Sequence, residues 1–182
     1  MALKATICKA SINLADNDRM LYEQLTLTVA LHPSETPLRM MSRILAFCLH
    51  ATEGLTFTRG LSTDNEPDIW RKDDINAITD WIEVGQPTAE RLKKASRQAA
   101  QVWVYGYSDK NLSSWLSDCQ KQLGNIDNIQ IAGFQPAAMQ QLADLHNRNM
   151  DLAVQRDGDD LWITADNQLL HVPIQHFSLN DQ

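Results

Sequence analysis

The side chains best suited to chemistry lie between Asp64 and Tyr107, where an acidic stretch leads into a basic helix. The carboxylates of residues 64–94 are Asp64, Glu66, Asp68, Asp73, Asp74, Asp80, Glu83 and Glu90. Carboxylate oxygens are ligands that Mg²⁺ prefers, and a bound Mg²⁺ can activate water for phosphodiester hydrolysis. This segment is therefore the candidate site that the sequence offers.

Glu83 is the most informative of these acids. It lies between Ile82 and Val84, near the carboxyl end of a predicted strand, and ligands favour that end in open α/β sheets. A second carboxylate, from Asp68 or Asp80, would complete a pair able to hold a hard cation. Asp80 and Glu83 are three residues apart, so they face opposite sides of an ideal strand.

The helix after Pro87 carries a cationic face. Its basic residues are Arg91, Lys93, Lys94 and Arg97, of which Arg91 and Lys94 share one side of the helix. Positive charge beside a carboxylate site is what phosphate binding requires.

A structural alternative stays open from the residues alone. The acids can form a solvated loop with ion pairs to Arg71, Lys72 and Arg91, and the basic helix can be an ordinary solvated face. Spaced Asp and Glu residues have little specificity as a metal signature, so the pattern by itself favours this alternative.

The composition is that of an ordinary globular protein with 43% hydrophobic and 21% charged residues. The formal net charge of −7 argues against non-specific nucleic-acid binding, although a local basic patch can outweigh it. The histidines and cysteines show no metal-ligand spacing, which argues against zinc. The N-terminus lacks an apolar signal segment, no stretch is long enough to span a membrane, and we expect reduced thiols in a cytoplasmic protein with no membrane partner.

Periodicity predicts the elements that must position these residues. In chain order, we expect an antiparallel hairpin (3–14 and 20–31), a helix (35–52), a short strand (55–60), a strand (77–84), a helix from Thr88 to about Gln101, a strand (101–107), a helix (109–123) capped by Asp109, a strand (128–134), a helix from Pro136 to about His146, and a β-meander. Helices alternating with strands in the middle of the chain favour a partly parallel sheet covered by helices.

The predicted fold class is therefore α/β (α+β), with a mixed central sheet flanked by helices. No linker composition divides the chain, so we expect a single domain over residues 1–182. Its core covers roughly 34–146, and a β-rich elaboration comes from residues 1–31 and 148–177.

Several longer strings are more specific than any of these patterns. Four segments, LKATICKASINLAD, LTLTVALHPSETPLRMMSRILAF, LTFTRGLSTDNEPDIW and ITDWIEVGQPTAERLKKASRQAAQVWVYGY, resemble the YaeQ family of small bacterial proteins over nearly the whole chain. The most specific strings in them are HPSE, FTRGL, EPDIW and WIEVGQP. The resemblance implies a variant of the PD-(D/E)xK, restriction-endonuclease-like fold with a β-hairpin and meander elaboration from the two termini.

The resemblance also implies site residues. Asp68, after Pro67, matches the PD element, Glu83 matches the acid of (D/E)xK, and Glu35 matches an additional acid, so all three become metal ligands for Mg²⁺. Residue 85 is Gly where the pattern has the Lys that helps to position or polarise the attacking water.

Two substitutes for that Lys follow, and two functional hypotheses stand beside a structural one, in which Glu83 is only paired to Arg91 or Lys94. Lys94 on the following helix, or Gln86, would orient the water, while Arg91 and Lys93 would bind phosphate. The first hypothesis is a Mg²⁺-dependent, nuclease-like phosphodiesterase acting on nucleic acid. The second is a binding or regulatory module that kept the nuclease fold and lost the chemistry, as the Gly at residue 85 and the acidic net charge favour. Protein partners are not predicted by either hypothesis.

Overall fold

The structure is a computed structural model that describes residues 3–59 and 64–180. The chain folds into two compact units. The first, here called the terminal unit, contains the described residues up to Leu49 together with Phe134–Ile174. The second, the central unit, contains the described residues of His50–Gly133 and those from Gln175 onward. The prediction of one domain with a core over residues 34–146 stays a prediction.

The terminal unit is built on strands from both ends of the chain. Its elements are β1 (Thr6–Asp16), β2 (Leu21–Leu31), α1 (Pro37–His50, up to Leu49), α4 (Pro136–Asp144), β8 (Asn149–Asp157), β9 (Asp160–Ala165) and the first part of β10 (Gln168–Phe177). The strands follow the order β2-β1-β8-β9-β10, and β1 with β8 is the parallel pair among antiparallel ones. The predicted N-terminal hairpin and the C-terminal meander are confirmed.

The central unit has the mixed sheet that the sequence predicts. Its elements are β3 (Thr56–Phe57), β4 (Ile69–Lys72), β5 (Ile78–Val84), α2 (Ala89–Ser96), β6 (Ala99–Gly106), α3 (Leu112–Leu123) and β7 (Ile129–Phe134, up to Gly133). The strands follow the order β7-β6-β5-β4-β3, in which β5, β6 and β7 are parallel and β3, β4 and β5 are antiparallel.

One face of this sheet is covered by α2 and α3. The apolar side chains that pack there come from both helices and from β5, β6 and β7; they include Trp81, Leu92, Ala95, Val102, Val104, Cys119, Leu123 and Ile131. The alternation of residues along a strand explains the selection, because Trp81 pairs with Val102 in the parallel register and both face the helices. A mixed α+β architecture is thus confirmed.

Two local predictions were wrong. Helix α2 ends at Ser96 rather than near Gln101, because the N–H groups of Arg97 and Gln98 bond back to helix carbonyls and Ala99 already pairs with Ile78 in the sheet. Helix α3 is preceded by Asn111 in the left-handed conformation (φ 58°), which makes no side-chain cap, so Asp109 is not its N-cap. Asn tolerates that conformation better than most residues, which explains its use there.

In the part of the chain that the structure describes, every helix is too short or too polar to cross a bilayer.

Candidate functional site

The hairpin of β4 and β5 positions the two acids on which the sequence hypothesis depends. Asp68 immediately precedes β4, and its N–H donates to Ile82 O (3.1 Å) while its own Oδ2 accepts from the N–H of Val84 (2.8 Å). Asp68 is 4% exposed and Glu83 is 5% exposed. Both residues are therefore buried near the carboxyl end of β5.

Glu83 is held from two sides. Its Oε1 accepts from Trp81 Nε1 (2.9 Å) and from Arg91 Nε (2.7 Å). Trp81 lies two residues earlier on the same strand, so both side chains face α2. Burial raises the pKa of Glu83, against the opposing effects of Arg91 and Trp81, and the nearby negative charge of Asp68 raises it further. The two carboxylates are thus close enough to interact electrostatically.

Arg91 joins α2 to the loop before β4. Its Nη1 donates to Asp64 O (2.8 Å) and its Nη2 to Glu66 O (2.7 Å), while Nε donates to Glu83. The first turn of α2 that carries it is fixed by Thr88, whose Oγ1 accepts from the N–H of Arg91 (3.2 Å). The guanidinium is therefore surrounded by one carboxylate oxygen and two carbonyl oxygens.

The lysines of α2 lie outside this arrangement. Lys94 Nζ donates to Asn65 Oδ1 (3.1 Å), so it contacts the same loop as Arg91 without a hydrogen bond to Glu83. Lys93 is exposed in the last turn of the helix. Both are accessible to solvent, and their roles in water orientation and phosphate binding stay predictions.

The residues at the end of β5 form a sharp turn. Gly85 has φ 112°, a conformation that L side chains rarely adopt, and its N–H donates to Tyr105 O (2.9 Å). A Cβ at Gly85 would meet only Tyr107 Cε1 at 3.8 Å, so the obstacle to a larger residue is the backbone rather than space. Gln86 Nε2 donates to Ser108 O (3.3 Å) and Lys110 O (3.0 Å), which anchors this turn to the one after β6.

Glu35 belongs to the terminal unit, just before α1. Arg43 contacts both of its oxygens, with Nε to Oε1 and Nη2 to Oε2 each at 2.7 Å, and Arg39 Nη1 donates to Oε1 (3.0 Å). Glu35 is 9% exposed. This bidentate, largely buried ion pair fixes the start of α1, and the metal-ligand role of Glu35 stays a prediction.

Asp68 and Glu83 together offer two buried carboxylates, and their role as ligands of a hard cation stays a prediction. Within residues 3–59 and 64–180, no three His, Cys, Asp or Glu side chains are grouped so as to hold a metal ion.

Three contributors to the site were not identified from the sequence. Trp81 packs in the core and its indole N–H also donates to Glu83 Oε1; the Trp-x-Glu spacing on one strand is the signal that indicates this bond. Asn65 Oδ1 accepts a hydrogen bond from Lys94 Nζ. Thr58 Oγ1 donates to the Pro67 carbonyl, and the N–H of Thr58 donates to Asp68 O (3.1 Å). No sequence pattern indicates these loop contacts.

Comparison with known proteins agrees with this architecture over most of the chain. The family model described as "YaeQ protein" matches residues 1–174. Two curated relatives, each called "Uncharacterized protein YaeQ", come from Salmonella typhi (37% identity, 96% of both chains) and Escherichia coli K12 (38% identity, 94% of this chain and 95% of the relative).

Two solved structures are similar across nearly the whole length. The YaeQ protein of Xanthomonas axonopodis pv. citri superposes with a TM-score of 0.91 at 33% identity, over 96% of this chain and 98% of that one. The YaeQ protein of Pseudomonas syringae gives 0.91 at 34% identity, over 96% of both chains. With the family model and these relatives in agreement from the first hairpin to the last strand, the chain belongs to the YaeQ family.

Proposed function

We propose that this protein is a binding or regulatory module with a restriction-endonuclease-like core that has lost hydrolysis, and that Arg91 takes the place of the divalent cation. The observation that carries the proposal is the position of the Arg91 guanidinium, which donates to Glu83, Asp64 O and Glu66 O.

This arrangement resembles a cation site in its chemistry. A carboxylate and backbone carbonyls are oxygen ligands of the kind that Mg²⁺ and Ca²⁺ use. Here the same ligand types surround a permanent positive charge that the chain itself supplies, since the guanidinium of Arg remains protonated. A metal ion at Glu83 would have to displace this charge, and Mg²⁺ gives up its own water reluctantly.

The turn at Gly85 supports the same conclusion. In the PD-(D/E)xK pattern the residue at this position is a Lys next to the attacking water, whereas here the backbone has φ 112°. A Lys would be strained in that conformation, and Lys94 is bonded to Asn65. The residues of the central unit therefore provide neither an uncommitted acid pair nor a lysine beside it.

The partner that we propose is nucleic acid, bound by its phosphates. Lys93 and Lys94 are exposed on α2, and Arg97 is exposed directly after it. The side chain of Arg91 remains 28% exposed, which leaves part of its charge available at the same surface. Cys8, Cys48 and Cys119 are free and buried, which supports a reducing, cytoplasmic location as part of this proposal.

Metal titration of three proteins tests the proposal: wild type, Glu83→Gln and Arg91→Ala. Thermal unfolding is measured in MgCl₂ or MnCl₂ against NaCl of equal ionic strength, and hydrolysis is measured on single- and double-stranded DNA and RNA. We expect no metal-specific Tm change and no hydrolysis for wild type. Arg71→Gln is the matched control, because it removes an arginine from a more exposed pair, with Asp80, in the same unit.

The second candidate function is the Mg²⁺-dependent phosphodiesterase, and one observation favours it: Asp68 Oδ2 accepts from the N–H of Val84 (2.8 Å), so its carboxyl lies beside the residue that follows Glu83. In that function Asp68, Glu83 and Glu35 are metal ligands, Lys94 or Gln86 orients water, and Arg91 and Lys93 bind phosphate. A Mg²⁺-dependent Tm increase in wild type that disappears in Glu83→Gln, together with metal-dependent hydrolysis, would establish it and overturn the first proposal.

A further inference from the structure

The outer edge of β2 is a long strand without a neighbour among the described residues. β2 pairs with β1 in an unbroken antiparallel register from Asp16↔Leu21 to Thr6↔Leu31, and it stands at one end of the strand order. Such an edge presents a row of unpaired backbone groups, which is a template for another strand.

The hydrogen bonds of β1 show which groups of β2 face outward. Lys9 N donates to Arg148 O and Asn17 N donates to Arg156 O, so the odd-numbered residues of β1 direct their backbone groups toward β8. Its even-numbered residues therefore bond to β2, where their partners are odd-numbered, as in Ile12↔Leu25. It follows that the even-numbered residues of β2 direct their N–H and C=O groups away from β1.

One of these outward groups is already used. Ala30 O accepts from Arg43 Nη2 (2.8 Å), which confirms the assignment and shows that the end of the edge near α1 is covered. The N–H and C=O groups of Tyr22, Gln24, Thr26 and Thr28 have no partner in residues 3–59 and 64–180. The open edge is therefore the stretch 22–28.

This edge lacks the features that prevent pairing. Soluble proteins protect edge strands with Lys, Pro, a β-bulge or an inward-pointing charge. The β2 sequence LYEQLTLTVAL has no Pro and no basic residue, its register has no bulge, and Glu23 is its single charged residue. Tyr22 is 64% exposed, and Met20 in the adjoining turn is 81% exposed.

We propose that β2 pairs antiparallel with β2 of a second copy of this chain, about a two-fold axis at Leu25. In this register Tyr22 faces Thr28 of the second copy and Gln24 faces Thr26, so all four free residues bond. An axis at Thr26 would instead pair Tyr22 with Ala30, whose carbonyl is occupied. An axis at Gln24 would pair Thr28 with Met20 in the turn. An axis at Leu25 is therefore the register that pairs all four open residues with one another.

The side chains are compatible with this pairing. Glu23, the single charged residue of the strand, faces Leu27 of the second copy. An axis at Glu23 would instead place the two Glu23 carboxylates opposite each other. Leu25, which is half-buried, faces Leu25 of the second copy, and Tyr22 faces Thr28 of the second copy. Aromatic and β-branched residues make favourable cross-strand pairs. This self-complementarity is the reason to choose a second copy over an unrelated peptide, because an isologous interface must match itself.

A cysteine at the axis tests the register directly. In Leu25→Cys the two introduced thiols would form a non-hydrogen-bonded pair with Cα atoms about 4.5 Å apart, which a disulfide can bridge. We expect Leu25→Cys to form a covalent dimer on mild oxidation. In Glu23→Cys, the matched control on the same strand, the thiols would be about 13 Å apart and we expect little dimer. Cys8, Cys48 and Cys119 are buried and do not compete.

Sedimentation equilibrium of the full chain completes the test. The N–H of Thr26 points away from β1, so Thr26→Pro removes a donor of the proposed interface without breaking the β1–β2 ladder. We expect wild type and Thr26→Val to dimerise and Thr26→Pro to dimerise at least tenfold more weakly with an unchanged circular dichroism spectrum. A wild type that is monomeric at its highest soluble concentration, or equal cross-linking of both cysteine variants, would overturn the proposal. Should Thr26→Pro fail to fold, the cross-linking result still decides.

Discussion

Arg91 Nε lies 2.7 Å from Glu83 Oε1, and this pair joins the end of β5 to the first turns of α2. The side chain of Glu83 is 7% exposed and that of Arg91 is 28% exposed. Because the carboxylate is buried, removing its cation breaks the ion pair that compensates for the loss of solvation. The relationship therefore has consequences for stability that are separate from any metal chemistry.

Arg91→Gln should destabilise the protein by about 2–4 kcal/mol, toward the lower end because the arginine keeps partial contact with solvent. The double variant Glu83→Gln/Arg91→Gln should recover part of this loss, since it removes both charges. Urea unfolding of the single and double variants measures the coupling. If the loss in the double variant equalled the sum of the losses in Glu83→Gln and Arg91→Gln, the pair would contribute no coupling energy.

The pH dependence of stability should report the buried carboxyl of Glu83. Its pKa in the folded state is raised from 4.5, chiefly by burial, so the folded state binds this proton more tightly than the unfolded state does. The contribution of Glu83 to stability is therefore greatest below the unfolded pKa and is lost as the pH rises through the folded pKa. Relative to Glu83→Gln, wild type should become less stable over this window.

Denaturant unfolding at a series of pH values from about 4 upward, on wild type and Glu83→Gln, checks the sign. Arg91→Gln removes the charge that most lowers the pKa of Glu83, so the loss of stability with rising pH should occur at a higher pH than in wild type. A stability difference that grows in favour of wild type as the pH rises would mean that the carboxylate form is the one that the fold prefers.

Part of the site follows from the sequence in a simple physical way. Alternating apolar residues predict β5, and a parallel strand places Glu83 at its carboxyl end. Thr88 after Pro87 is a residue that caps helices, and it predicts the start of α2. The position of Asp68 beside the same strand end follows once β4 is antiparallel to β5, since Ile69 pairs with Ile82.

The rest depends on tertiary contacts that no local pattern contains. Arg91 bonds to the Asp64 and Glu66 carbonyls, 27 and 25 residues away, which the packing of α2 brings within reach. Arg91 and Lys94 lie on the same side of α2, so which of them reaches Glu83 depends on a displacement of a few ångströms along the helix. The positive φ of Gly85 is likewise invisible in a sequence where Gly merely replaces an expected Lys.

Gly85 should resist substitution for a backbone reason. Gly85→Ala places a side chain at φ 112° and should cost about 1–3 kcal/mol, although the nearest atom to the new Cβ is 3.8 Å away. Gly85→Lys should lose a similar amount and should not acquire Mg²⁺-dependent hydrolysis, because the strained turn does not hold the lysine beside Glu83. Thermal unfolding and nuclease assays measure the two effects.

Gly158→Ala is a matched control, since Gly158 also has a positive φ (61°) and a Cβ added there would meet nothing within 4 Å. The left-handed region near that angle is less costly for an L residue than the region near 112°. We therefore expect a smaller loss of stability at Gly158. Metal-dependent hydrolysis by Gly85→Lys would contradict the proposal that Arg91 takes the place of the divalent cation.

Asp16 provides an acid-sensitive contact in the terminal unit. It is fully buried at the end of β1, where Oδ2 accepts from Arg19 Nε (2.7 Å), Oδ1 accepts from Arg19 N (3.1 Å), and Arg156 Nη1 lies 3.6 Å from Oδ2. Burial acts to raise the pKa of Asp16, but the hydrogen bonds and charge of Arg19 prevail and lower it below 3.8. The ionised form is therefore the one that the fold stabilises.

Asp16→Asn should cost about 1.5–3 kcal/mol near neutral pH, the usual value of charged hydrogen bonds. Because the folded pKa lies below the unfolded one, this contribution is complete above pH 3.8 and is lost as the pH falls through the folded pKa. The gap between wild type and Asp16→Asn in urea unfolding should therefore narrow on acidification. Asp157→Asn, at an exposed acid at the end of β8, is the control that should change little at any pH. A gap that stays constant down to about pH 2 would mean that Asp16 acts through its shape and neutral hydrogen bonds rather than through its charge.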